Sequence, residues 1–254
     1  DSLTLRVTDG GDGPGWDQSD WCDPTVELVG GSRVRLDALP VWLPAAAYLD
    51  GPPISFTLGG RALDAILPGW RREVSDWRTE RGRRRRTVTW TDPSTGLSVA
   101  AEMTLFDGTT AAEWVVRLTN TGTADTPLIE HLRPLDLRLA PPTRGEVTLH
   151  HSHGSTCEPT DFLPIETKLA SGARLALSPR GGRSSDGTLP FFNIEWPGGG
   201  LVGAIGWSGQ WEMTAERDPG GELRVVAGQQ TTRFVLRPGE TVRTPRILLV
   251  SWSG

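Results

Sequence analysis

The stretch LSVAAEMTLFDGTTAAEWVVRLTN, residues 97–120, decides the fold class. In its first half Val99, Ala101, Met103 and Leu105 fall on one face, with Ala100, Glu102 and Thr104 on the other. In its second half Trp114, Val116 and Leu118 alternate with Glu113, Val115 and Arg117. A period of two sustained over this length is that of a half-buried β-strand.

Outward from this pair, residues 146–150, 174–177, 201–207, 223–227, 232–236 and 246–252 read the same way. The last is apolar on both faces, Ile247 and Leu249 on one and Leu248, Val250 and Trp252 on the other. A strand of that kind belongs inside a sheet covered on both sides. Turn chemistry separates the runs: Asp92-Pro93-Ser94-Thr95-Gly96, Asp218-Pro219-Gly220-Gly221 and Arg237-Pro238-Gly239-Glu240. Proline presets φ early in such turns, and glycine accepts positive φ later. Turns recurring about every ten residues indicate a sandwich or barrel. Gly198-Gly199-Gly200 reads as a hairpin loop. Trp70, Val74 and Trp77 have helical spacing, but the segment is dense in charge and leads into the β-like 83–90. It is read as a strand pair turning at Gly82, and 44–49 as at most one helical turn. No stretch suits a long amphipathic helix, so the expectation is an all-β, antiparallel fold with little helix.

The 254 residues are read as a single domain over 1–254, with a loop-rich segment at about 9–24 carrying Trp16 and Trp21. Glycine (31) and proline (20) are spread along the whole chain, which chops it into short elements. A net charge of −5 argues against a nucleic-acid partner, and the run Arg83–Arg86 reads as a solvated face. No apolar run is long enough to span a bilayer. The first residues lack the basic and apolar regions of a signal peptide. Only two cysteines occur, Cys22 and Cys157, without zinc spacing. They read as unpaired and mostly buried thiols, with a single disulfide between them left open, and so sparse a use leans toward the cytoplasm.

Candidate chemistry is thin. His151 and His153, within LHHSHG, would share one face of a strand, as a two-histidine metal site needs. Asp161 or Glu158 is the nearest candidate third ligand. They are read chiefly as polar strand-end residues, and no cofactor is expected. No GxSxG elbow and no phosphate loop occurs. The early aspartates Asp9, Asp12, Asp17, Asp20 and Asp23 read as a solvated loop. Eleven tryptophans against one tyrosine supply many flat apolar faces able to stack on sugars. Most are read as core residues.

The C-terminal third carries a resemblance. PRGGRSSDGTLPFFNIEW (179–196), GGGLVGAIGWSGQWEM (198–213) and FVLRPGETVRTPRILLVSWSG (234–254) follow in order. TDPSTGLSVAAEMTLFDG (91–108) and AAEWVVRLTNTGT (111–123) extend the pattern. Together they resemble the N-terminal domain of glycoside hydrolase family 36, the α-galactosidases and their relatives. Residues 1–84 match less well.

The resemblance implies an antiparallel β-supersandwich of the galactose-mutarotase type. It implies a following (β/α)8 barrel with two catalytic aspartates acting in a retaining mechanism. Nothing in this chain corresponds to that barrel, so no catalytic residue is assigned here and no activity is expected of the chain alone. The implied partners are the protein's own catalytic barrel and an α-galactoside or other carbohydrate, with no membrane; a homo-oligomer stays open. Arg183, Ser184, Ser185 and Asp186 offer hydroxyls, a carboxylate and a forked donor for lining a sugar site. Trp207 and Trp211 offer stacking faces, sharing one face only if their strand is regular. The resemblance also implies an aromatic or acidic residue of 1–84 that reaches the pocket, for which Trp16, Trp21 and Trp42 are candidates. Trp252, which the barrel would partly cover, is expected to be partly exposed. A free-standing carbohydrate-binding module and an aldose 1-epimerase-like enzyme are the alternatives. In the second, His151 or His153 would serve as acid beside a carboxylate base.

Overall fold

The computed structural model describes residues 25–27, 33–35, 51–139 and 145–253. The chain divides into two compact units, Asp1–Trp42 and Leu43–Gly254. In the first, strands β1 (Thr25–Glu27) and β2 (Arg33–Arg35) pair antiparallel, Val26 opposite Val34. The expected loop at 9–24, the helical turn at 44–49, and Trp16, Trp21, Trp42 and Cys22 lie outside the described residues.

The second unit is built from short strands. They are β3 (Ser55–Leu58), β4 (Arg61–Ala62), β5 (Arg71–Val74), β6 (Arg78–Glu80), β7 (Arg83–Thr91), β8 (Leu97–Phe106), β9 (Ala111–Asn120), β10 (Ile129–Arg133) and β11 (Leu135–Leu139). There follow β12 (Thr148–Ser152), β13 (Pro164–Lys168), β14 (Arg174–Leu177), β15 (Phe191–Trp196), β16 (Gly199–Gly206), β17 (Trp211–Arg217), β18 (Leu223–Gln229), β19 (Arg233–Phe234), β20 (Thr241–Arg243) and β21 (Arg246–Trp252). The helices among the described residues are α1 (Leu63–Ile66) and a 3-10 turn (Leu67–Gly69) with proline in its first turn. The fold is all-β, and every strand pairing among the described residues is antiparallel.

One large sheet has the order β13-β12-β15-β16-β21-β9-β8-β7-β5, with β20 also on β9 and β6 also on β7. Two four-stranded sheets, β19-β10-β3-β4 and β11-β18-β17-β14, make up the rest. The chain passes from one small sheet to the other at Pro134, between β10 and β11. Proline has no N–H to continue a ladder, and the register of β10 on β3 already shifts between Glu130 and Arg133. Val99, Met103, Trp114 and Ile247 of the large sheet share one buried cluster with Ile129, Leu135, Met213 and Val225 of the small sheets. The alternation in residues 97–120 predicts this: Trp114 is 1% exposed, and its indole N–H donates to the Pro134 carbonyl at 2.7 Å.

Most expected strands appear, β8, β14 and β21 with the expected bounds. β21 lies between β16 and β9, with Ile247 and Leu249 buried and Leu248, Val250 and Trp252 half-buried. Trp252 lies over Gly200, where a Cβ would come 2.5 Å from its ring, and its N–H donates to Asn193 Oδ1 at 2.8 Å. The charged 71–91 region is three strands, not a helix. Arg81 and Gly82, both at positive φ, make the two-residue turn between β6 and β7. Three readings need correction. Residues 232–236 give only the two-residue β19. Gly199 and Gly200 belong to β16, the hairpin turn being Pro197-Gly198. Cys157 is exposed, because it sits in a loop with φ +65° and not on a strand face.

Candidate functional site

Three connections meet at one end of β12, β15 and β17. The first is residues 153–163, after β12. Its Asp161 carboxylate accepts from Ser155 Oγ and Thr156 N at 2.8 Å and from Cys157 N at 3.0 Å. The Thr156 N–H and the Ser155 hydroxyl hold Asp161 below the ordinary carboxylate range. Cys157 and Phe162 both have positive φ, a costly conformation for residues with a Cβ.

The second connection is residues 178–190, which holds Arg183, Ser184, Ser185 and Asp186. Its own bonds are few and mostly long: Arg180 N–H to Asp186 O at 2.8 Å, Arg183 N–H to Arg180 O at 3.3 Å, Asp186 N–H to Arg183 O at 3.4 Å, and an ion pair between Arg183 and Asp186. Neighbours do most of the holding. Ser155 N–H donates to Ser185 O at 2.8 Å, and His153 bridges Thr188. Gly154 makes that approach possible: a Cβ there would lie 2.0 Å from Ser185 O.

The third connection, 207–210, clamps the second. Gln210 accepts from Gly182 N at 3.0 Å and donates to Pro179 O at 2.6 Å. Trp211 donates its indole N–H to Ser184 O at 2.7 Å. The result is a loop with fixed backbone and a free outer edge. Arg183 and Ser185 are exposed, and the hydroxyls of Ser184 and Ser185 have no partner among the described residues.

The two tryptophans part company. β16 ends at Gly206, so Trp207 and Trp211 flank a turn instead of sharing a strand face. Trp211 is 1% exposed; its ring is core and is not available for stacking. Trp207 is half-buried and lines a cavity of about 500 Å³ with Gln229, Thr231, Arg233 and Arg243. The Arg243 guanidinium lies 5.8 Å from its ring centroid. An aromatic plane beside a guanidinium, an amide and a hydroxyl can hold a sugar ring. None of residues 183–186 lines this cavity, so the structure does not bring the two groups of candidates together. Sequence reading missed Gln210, the clamp, and Arg243, the cavity wall. Neither carries a local motif, since the groups they meet at the site, Gly182 and Pro179 for Gln210 and Trp207 for Arg243, lie 28 residues or more away in sequence.

His151 and His153 do share a face, the one turned to the core. Burial and the neighbouring His153 hold the His151 imidazole below its ordinary value. Its Nε2 is 3.5 Å from Thr167 Oγ1. Asp161 is already engaged, and no group of three or more metal-ligand side chains occurs among the described residues. His150, on the opposite face, sits 2.8 Å from Glu195 Oε2. No helix among the described residues is long and apolar enough to cross a membrane.

A family model described as the glycosyl hydrolase family 36 N-terminal domain matches residues 70–237. No curated protein matches the sequence significantly. Among solved structures, the galactosidase domain of the alpha-galactosidase-sucrose kinase AgaSK is similar, with TM-score 0.58 and 17% identity over 78% of this chain and 29% of that one. The family 36 alpha-galactosidase AgaA from Geobacillus stearothermophilus gives TM-score 0.56 and 18% identity over 80% and 30%. The alpha-galactosidase from Lactobacillus brevis gives 0.56 and 15% over 92% and 29%. At such identities the likeness is one of fold, and this chain spans about 30% of the length of these structures.

Proposed function

Because the chain belongs to the glycosyl hydrolase family 36 N-terminal domain family, we propose that it is the non-catalytic half of an α-galactosidase-type glycosidase. In this reading residues 1–254 act as one supersandwich domain, and a (β/α)8 barrel elsewhere in the protein carries the aspartate pair. The family match over residues 70–237 carries the reading. Its similar structures include substituted forms of AgaA in complex with stachyose and with raffinose.

Packing on a barrel accounts for an apolar strip on the outer face of the large sheet. Phe191 is 56% and Val202 38% exposed there, beside half-buried Leu248, Val250 and Trp252. Phe162 and Leu163, in the 153–163 connection, are exposed as well, 60% and 49%. Contiguous apolar surface of this kind marks an interaction face. The clamped loop would then present Arg183 and Ser185 to the sugar from outside the barrel.

The test is a chromogenic α-galactoside assay on the whole encoded protein and on this chain alone. Turnover by the first and none by the second is expected. Turnover by the isolated chain that survives further purification overturns the reading. So does a whole protein whose activity is unchanged by Phe191→Asp with Val202→Asp.

A further inference from the structure

Residues 71–86 hold eight arginines against three acids, a local +5 in a chain of net −5. They form the ribbon β5–β6 and the first half of β7, at one end of the large sheet. The ribbon is held from one side. Arg84 and Arg86 lie over the Trp77 ring, 5.9 and 4.6 Å from its centroid. By alternation, Arg83 and Arg85 turn to the opposite face, the outer face of the sheet.

There the ribbon walls a cleft of about 560 Å³. Its floor includes Thr104 and Val115, which point outward by register yet are only 8% and 5% exposed. The far wall is the ion pair of Arg246 with Glu113 at 2.6 Å. The near wall holds Arg78 and Arg85, directly opposite each other in the β6–β7 ladder. Like charges facing across a ladder repel. Neither guanidinium has a hydrogen-bond or ion-pair partner among the described residues. Thr87, Glu80 and Glu102 complete a lining of hydroxyls and carboxylates.

We propose that this cleft binds a carboxylated sugar, a uronic acid unit, with its carboxylate between Arg78 and Arg85. Guanidinium groups bind carboxylates through charge-assisted forks. Glu80, and the carboxylate lone pairs that Glu102 and Glu113 keep beyond their ion pairs with Arg117 and Arg246, accept hydrogen bonds from sugar hydroxyls. One carboxylate can sit between the two guanidinium groups, whereas the successive charges of a polyphosphate would also meet Glu80, Glu102 and Glu113, which disfavours nucleic acid at this surface. The cleft volume suits a small ligand. The site is separate from the clamped loop and needs no barrel, so it stands or falls apart from the glycosidase reading.

The test is equilibrium binding of digalacturonate and of a neutral digalactoside to the full chain. Digalacturonate should bind at least about tenfold more tightly, the order expected of one charge-assisted contact. Its affinity should fall with added salt. Arg85→Gln and Arg78→Gln should each remove about that factor without moving the melting temperature, both residues being exposed. Equal binding of the two sugars, no saturable binding of digalacturonate, wild-type affinity in both variants, or tighter binding of an oligodeoxynucleotide each overturns the proposal.

Discussion

Two aspartate-centred connections are built on opposite principles. In residues 92–96 the Asp92 carboxylate accepts from Ser94 N at 3.0 Å, Ser94 Oγ at 2.8 Å and Thr95 Oγ1 at 2.7 Å. Thr95 Oγ1 in turn accepts from Leu97 N at 3.2 Å, and Gly96 N–H returns to Asp92 O at 2.9 Å. The turn largely completes its own hydrogen bonding within six residues, and Asp92 is 7% exposed. In residues 178–190, Asp186 meets only Arg183 among side chains, and Gln210, Trp211 and Ser155 fix the backbone. A self-contained turn spends its side chains on itself. A loop held from behind keeps its front side chains free.

The largest effect should come from removing the support of the second loop. Trp211→Ala deletes a fully buried ring and should cost about 3–5 kcal/mol in chemical denaturation. Trp211→Phe keeps most of the burial and loses the bond to Ser184 O, at about 1 kcal/mol. In that variant trypsin should cut faster at Arg180 and Arg183, with amide exchange at 92–96 unchanged. Unchanged cleavage would mean that Trp211 is core filling only, and the contrast between the loops would fail.

Asp92→Asn tests the self-contained turn, where about 2 kcal/mol is expected, since three donors lose a charged acceptor. Burial pushes the Asp92 carboxyl up, but the hydrogen bonds from Thr95 and Ser94 outweigh it and leave its pKa lowered. A carboxylate whose folded pKa lies below its unfolded one stabilises fully above the unfolded value. That contribution disappears as pH falls through the folded one. The gap between wild type and variant should therefore be constant near neutral pH and close in strong acid. A gap that widens on acidification would refute the assignment.

Gly154→Ala tests the approach of two loops at a position with ordinary φ. The added methyl meets backbone atoms, Ser185 O and Thr188 N, that no rotamer can move aside. A loss of about 1–2 kcal/mol is expected, with faster amide exchange at Ser155. Wild-type exchange there would show that the two loops do not depend on each other.

The same contrast explains what was legible in the sequence. DPSTG announces its turn because every group that stabilises it is a near neighbour. Period-two runs announce β8 and β21 because burial on one face or both is written in consecutive residues. RGGRSSDG shows only that chemistry-bearing side chains are present. Its placement depends on Gln210 and Trp211, and its exposure on Gly154, none of which has a local signature. Trp207 and Trp211 illustrate the limit further. Four positions apart in sequence, they end on opposite sides of a turn, one on a cavity and one in the core. The split of the second layer into two sheets at Pro134 was equally unreadable, since it depends on where β10 stops pairing with β3.

The smallest effect on stability should come from Arg183→Ala, and it separates support from presentation. Arg183's side chain is 76% exposed and that of its partner Asp186 11%. An ion pair with one arm in water contributes at most about 1 kcal/mol. The main chain of the loop keeps its bonds to Gln210, Trp211 and Ser155 whether or not the arginine is present. Melting of the variant should therefore overlay the wild type, and trypsin should still be excluded from Arg180. If the outer edge of this loop lines a sugar site in the whole protein, the same substitution should raise KM for an α-galactoside severalfold and leave kcat nearly unchanged, because the residue would bind and not react. A variant with wild-type melting and wild-type KM would leave the clamp as architecture without a ligand. A variant that melts much earlier would show that Arg183 is part of the support, erasing the distinction between the two connections.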